Sequence, residues 1–291
     1  MKNSKILIGL LFLMIFVSCK TTNVESEKTV SKKSTKYTVI QLSEKSEYLN
    51  SLIKYPKFED YSLLNKVVKN SVENYFNSFN KYAKSDWEEL NKVRAIDNIA
   101  TPPFDYNVSF EVSETKKYIS VLLRTYINNG GAHGSTTLIS YNFDKAENRL
   151  VNIVEATGLS YKDLSKYCNA MIKSRLIKTN SLGSSEKEIE EWVNEGTFPT
   201  PDNYEIFMMY DNYVKVFFEE YSVAPYALGE QTVDVPYWLY LGFITNPKNG
   251  RVKALNKACL DRTYYCGAKT PQFFCLIFSW IQEFDELVHH K

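Results

Sequence analysis

Histidine is almost missing from this 291-residue chain: there are three, His289 and His290 form a terminal pair, and only His133 is internal. A zinc site made of histidine ligands alone therefore cannot be assembled from the chain's interior. The short motifs of common chemistry are missing too: there is no G-x-S-x-G elbow, no H-E-x-x-H helix, no C-x-x-C pair and no phosphate-binding glycine loop. No charge sign is in excess, with 35 Lys+Arg against 34 Asp+Glu and a formal net charge of +1. That balance leaves no electrostatic argument for nucleic acid as a partner. The apolar runs at residues 6–17 and 273–281 are both shorter than the ~20 residues a membrane-spanning helix needs. Glycine is sparse at 11, yet three of them fall within residues 130–134.

What is there begins with a leader. Lys2 and Lys5 give a positive start, residues 6–17 an apolar stretch, and Ser18-Cys19 closes it. This is the layout of a signal h-region rather than a span, and its end resembles a bacterial lipobox. The expectation is a signal peptide over residues 1–18, with Cys19 carrying lipid after cleavage. Two or three acyl chains anchor a protein stably, so the chain is expected at the bacterial cell envelope. The anchor would lie in the outer face of the cytoplasmic membrane or in the outer membrane. A simple signal peptide or an uncleaved anchor is the alternative. Residues 19–36, polar and aperiodic, read as a flexible tether. Of the other cysteines, Cys168 falls on a helical apolar face and reads as a core thiol. Cys259, Cys266 and Cys275 crowd the last 33 residues, and export would permit disulfides among the four.

Between leader and tail the pattern mixes strands with amphipathic helices. Residues 37–42 read as a short strand, and Pro56 with the preceding Tyr55 favours extended backbone. Leu64, Val68, Val72, Tyr75, Phe76 and Phe79 recur at helical spacing as one core stripe. That helix is expected to continue, after a break, through Trp87 and Leu90. Tyr106, Val108, Phe110 and Val112 alternate as a half-buried strand, while residues 118–127 are apolar on both faces and read as a more central one. Residues 136–143 make a third strand. Helices are expected over residues 160–178 and, from the Ser185/Glu188 capping box, over 185–194. Residues 204–218 read as a hairpin turning at Tyr210-Asp211-Asn212, and residues 232–237 as a last short strand.

Two stretches break these patterns. Asn128-Asn129-Gly130-Gly131-Ala132-His133-Gly134-Ser135 joins two strands, and its glycines permit φ > 0 and close approach of another group. Tyr221-Ser222-Val223-Ala224-Pro225-Tyr226-Ala227-Leu228-Gly229 interrupts the sheet with rigid ring area suited to recognition. A plain hairpin loop and a packed corner are the structural alternatives. For catalysis, only His133 could serve a triad, and Ser135 is too close in sequence to argue for one. The acidic pairs Glu88-Glu89, Glu190-Glu191 and Glu219-Glu220 read as solvated faces.

Asn129-Gly130-Gly131-Ala132-His133-Gly134, Ser140-Tyr141-Asn142-Phe143-Asp144, Tyr221-x-x-Ala224-Pro225-Tyr226-Ala227-x-Gly229 and Val235-Pro236-Tyr237, taken in order, resemble one family. It is the extracellular domain shared by the lysozyme-sensing anti-sigma factor RsiV and the non-catalytic N-terminal region of the peptidoglycan deacetylase PdaC. Tyr55-Pro56-Lys57-Phe58 and the helix after it look like the smaller domain that precedes it. The resemblance covers residues 37–244. It implies an α+β fold, a mostly antiparallel sheet with packed helices. It implies a smaller α/β region over residues 37–145, an RsiV-like domain over 146–244 and an atypical cysteine-containing tail over 245–291. It implies binding rather than catalysis, with no cofactor and no metal. The ligand would be a lysozyme-like protein or a peptidoglycan fragment, held at Gly130, Gly131, His133, Gly134, Tyr221, Pro225, Tyr226 and Gly229. A lipobox stands where the sensor has a membrane span, and nothing after Tyr237 resembles the deacetylase's metal-dependent domain. Sigma-factor control and deacetylation therefore do not transfer. The competing expectation is an envelope hydrolase of peptidoglycan or esters with His133 in its site.

Overall fold

Among the described residues, two sheets and four α-helices make an α+β fold. A computed structural model describes residues 35–179, 185–237 and 239. Cys19, most of the tether, the 182–184 break and the tail with its three cysteines lie outside them. Among the described residues, one sheet has six strands in the order β1-β2-β3-β4-β5-β6: Tyr37–Lys45, Leu49–Phe58, Phe104–Glu114, Tyr118–Asn128, Ser135–Asp144 and Arg149–Leu150. Every neighbouring pair is antiparallel except β2 and β3. Those two parallel strands need a crossover, and α1 (Ser62–Ile96) is that crossover.

At 35 residues α1 is about 52 Å long at 1.5 Å per residue. The expected break before Trp87 does not occur. The segment holds neither Gly nor Pro, and its apolar face continues from Leu64, Val68 and Val72 through Phe76, Phe79, Ala83 and Trp87 to Leu90. Tyr75, expected on that face, is 49% exposed, because a 3.6-residue period carries the face on to position 76 instead. Asn65 ties the helix to the strand before it. Its Oδ1 accepts the Phe58 N–H at 2.8 Å and its Nδ2 donates to the Phe58 carbonyl at 2.7 Å. The helix buries Tyr106 and Val108 of β3, Ile119, Val121 and Leu123 of β4, and Phe143 of β5.

The opposite face of the large sheet receives the second sheet, β7 (Phe207–Met209), β8 (Tyr213–Phe218) and β9 (Gln231–Pro236). Leu122 and Leu138 pack there against Met208 and Phe217. β4 is thus apolar on both faces because both are covered, as its sequence required. The far side of the small sheet is closed by α2 (Ile153–Thr157), α3 (Tyr161–Thr179) and α4 (Glu186–Gly196), with Leu164, Cys168, Ile172 and Val193 in the core. Cys168 is fully buried, and burial pushes its thiol up from its ordinary value. Met171, expected on the core face of α3, is exposed. The capping box of α4 is present, with Ser185 Oγ and the Glu188 amide, and Glu188 and the Ser185 amide, paired reciprocally.

The edge strand β7 shows why the two sheets stay in register. Its Phe207 and Met209 amides and carbonyls point away from β8 and are received by side chains of the large sheet. Ser140 Oγ accepts the Phe207 N–H at 3.0 Å, and Asn142 Nδ2 donates to the Phe207 carbonyl at 2.8 Å. Ser120 Oγ accepts the Met209 N–H at 2.9 Å, and Ser113 Oγ donates to the Met209 carbonyl at 2.6 Å. Ser120 also donates to Asn142 Oδ1 at 2.6 Å. Buried backbone groups without partners are costly; this ladder of side chains does for β7 what a neighbouring strand would do.

Candidate binding surface

The loop after β4 and the loop after β8 lie about ninety residues apart in sequence and meet in space. The His133 imidazole stacks on the Tyr226 ring with centroids 3.9 Å apart and planes 21° apart. The Tyr226 hydroxyl donates to the Gly134 carbonyl at 3.1 Å. His133 Nδ1 lies 2.9 Å from that same carbonyl; since a carbonyl only accepts, Nδ1 is the donor in this bond. One carbonyl therefore holds both rings. Tyr221 adds a third ring, 5.6 Å from Tyr226. Partial burial and the negative field of Glu220 push the Tyr226 phenol up from its ordinary value.

Backbone geometry explains the glycines. Gly130 has φ +84°, and a Cβ there would collide with Leu90 of α1. Arg94, one turn further along α1, donates to the Gly130 carbonyl at 2.9 Å. The long helix thereby supports the loop from beneath. At Gly134 a Cβ would enter the Tyr126 ring, so this glycine lets Tyr126, on the last turn of β4, lie against the site. Gly131 is exposed, and a Cβ there would make only an ordinary contact with the His133 carbonyl oxygen at 3.8 Å. Gly229, at φ +62°, ends the turn Tyr226–Leu228, with its amide on the Tyr226 carbonyl at 2.8 Å. Gly130 and Gly229 act on the loops' shape; His133, Tyr226 and Tyr221 supply the surface. Val223 and Ala224 are buried in the core and Pro225 is half-buried, so the expected motif is a packed corner at its middle and an outward surface at its two tyrosines.

Tyr221 is the most unusual of these residues. It has φ +67°, in the left-handed region that a bulky side chain rarely adopts, while its side chain is 54% exposed. Helix α4 holds it there. Trp192 Nε1 donates to the Tyr221 carbonyl at 2.8 Å, and a Cβ on Gly196 would overlap the Ser222 backbone, so α4 touches this turn directly.

An acidic rim adjoins the rings. Glu219 does not lie on a solvated face as expected. It is half-buried, and Oε1 accepts the Leu138 amide at 2.6 Å. Burial, followed by the charges of Glu220 and Glu230, raises its carboxyl above its ordinary value. Glu230 takes Arg124 through two bonds, Nε and Nη2, each 3.1 Å, and Arg124 also reaches Glu111. Tyr126, Trp192, Arg124 and Glu230 escaped sequence reasoning, which took Glu219 and Glu220 only as a solvated face. The one available signal was position: Tyr126 alternates outward on β4 two residues before Asn128.

Two families match this chain. Residues 42–136 match the family described as deacetylase PdaC, and residues 143–238 match a protein family of unknown function, DUF3298. Among curated proteins, the peptidoglycan-N-acetylmuramic acid deacetylase PdaC of Bacillus subtilis (strain 168) is 24% identical over 210 residues, 72% of this chain. The match covers 42% of that protein, so the chain spans less than half of its relative's length. A crystal structure of a DUF3298-family member from Bacteroides fragilis is 18% identical, covers 70% of this chain and 91% of its own, and has a TM-score of 0.49. One from Pseudomonas aeruginosa PAO1 is 16% identical, covers 72% and 93%, and has a TM-score of 0.45. Among the described residues no helix is long and apolar enough to cross a membrane.

Proposed function

We propose that this chain is an envelope lipoprotein, anchored through Cys19, whose Tyr221–Tyr226–His133 surface binds cell-wall glycan without catalysing its turnover. The observation that carries this reading is Tyr221. An exposed aromatic residue in left-handed backbone costs on the order of 1–3 kcal/mol, and such strain clusters where a side chain must be presented to a ligand. Beside it lie a stacked imidazole and phenol, flat faces of the kind on which the C–H side of a sugar ring rests. Similarity to a protein named for its action on peptidoglycan supports the choice of ligand. The test is a titration with soluble muropeptides. Tyr226→Ala should weaken binding about thirtyfold, ~2 kcal/mol, the size of a hot-spot truncation, with the circular-dichroism spectrum unchanged. A variant that binds as the parent does would refute the assignment.

A second reading has its own observation. Glu220 acts on the Tyr226 ring and Glu219 lies next to it, and acidic groups beside aromatic anchors suit a basic protein of the lysozyme type. Saturable binding of c-type lysozyme that weakens with salt, and silence with muropeptides, would favour it over glycan. The anchor has a separate check: Cys19→Ala should move the protein from the membrane fraction to the soluble one.

A further inference from the structure

The aromatic surface continues onto the large sheet. Tyr126 pairs with Asn107 on β3, Asn107 with Leu52 on β2, and Leu52 with Ser43 on β1. Directly paired residues project from the same face of a sheet. The four therefore form one row across the strands, from beside His133 and Gly134 to the β1 edge. The small sheet makes its main contacts with β4, β5 and β3. Tyr126 is 36% exposed and Leu52 37%, Ser43 is exposed and Asn107 half-buried.

The chemistry of the row narrows its occupant. The row itself offers a phenol ring, a carboxamide, an aliphatic side chain and a hydroxyl and carries no charge of its own, while Lys45, Lys54, Asp105 and Arg124, two residues along on the same face, flank it with both signs. Its two apolar side chains are separated by an amide, which does not make a patch for lipid or for a protein core. Alternating C–H faces and hydroxyl or acetamido groups are what a neutral polysaccharide presents. Strands lie about 4.8 Å apart, so the row is roughly 14 Å long at a spacing on the order of one pyranose residue per strand.

We infer that Tyr126, Asn107, Leu52 and Ser43 form an extended platform for further sugars of a linear glycan whose first unit sits on Tyr226 and His133. The inference rests on the glycan reading of that site. It is tested on the full chain with a disaccharide muropeptide and a longer glycan strand released from peptidoglycan. The wild type should bind the longer strand about tenfold more tightly. Asn107→Ala and Leu52→Ser should each erase that gain and leave disaccharide affinity unchanged, whereas Tyr226→Ala should weaken both. Equal affinity for both lengths in the wild type, or a gain that survives both platform variants, overturns the platform and leaves the Tyr226 site standing. Failure of the wild type to bind either fragment overturns the site and the platform together.

Discussion

Tyr221 is held by two residues of α4, the half-buried Trp192 and the buried Gly196. Trp192 satisfies its carbonyl, and Gly196 leaves the room its neighbour's backbone occupies. Trp192→Phe keeps the ring and deletes the bond; a stability loss of about 0.5–1.5 kcal/mol is expected, with a larger proportional loss of ligand affinity. Melting and titration of the same preparation check this, and unchanged affinity would leave Trp192 a packing residue only. Gly196→Ala must displace the Ser222 turn, and overpacking of this kind costs about 1–3 kcal/mol, measurable by urea unfolding. Asp144 is a different case. It is buried, which alone would raise its pKa, but the amides of Glu147 and Ala146 and the Lys117 ammonium outweigh burial and lower it. A carboxyl lowered in the folded state contributes stability above its unfolded value, near ~3.9, and loses it as pH falls through the folded value. Asp144→Ala should therefore cost about 1–3 kcal/mol near neutrality. The deficit should shrink at acid pH, as melting curves across pH 6 to 2 would show; a pH-independent deficit would place the effect in packing instead.

At the scale of elements, the polar ladder beneath β7 makes the sharpest prediction. Asn142→Ala removes the donor to the Phe207 carbonyl and the acceptor of Ser120, leaving buried polar groups unpaired at about 1–3 kcal/mol. Hydrogen exchange should show β7 amides losing protection before those of β4, and uniform loss would contradict the ladder's local role. The same ladder marks a limit of sequence reading. Asn142 and Ser140 stood out as part of a family-like stretch, yet nothing in the alternation of β5 says that their partners lie some sixty-five residues on. The strands and helices themselves were legible because each carries its period locally: β4 by its apolar run, α4 by its capping box, the β7–β8 hairpin by its polar turn. The continuity of α1 is hard to read because its stripe narrows to the small Ala83 between Phe79 and Trp87, with no Gly or Pro to end the helix. The short α2, capped by Asn152 and Glu155, has too few residues for a period to show.

For the molecule as a whole, the convergence of the two irregular loops is the central structural fact. Both were legible as stretches out of pattern, but their meeting depends on the small sheet packing through β7 onto the large one, a long-range event without a local signal. The same packing turned Glu219 inward and brought Arg124, on β4, to Glu230. Among the described residues the small sheet contacts β3, β4 and β5 of the large sheet, on the side toward the rings. The most direct measurement is a titration of wild type and Tyr226→Ala against soluble muropeptides and c-type lysozyme, with melting curves recorded in parallel. The account predicts saturable muropeptide binding by the wild type, about thirtyfold weaker in a variant that melts cooperatively. Binding that is equal in the two proteins, or a folded wild type that binds neither probe, would contradict it.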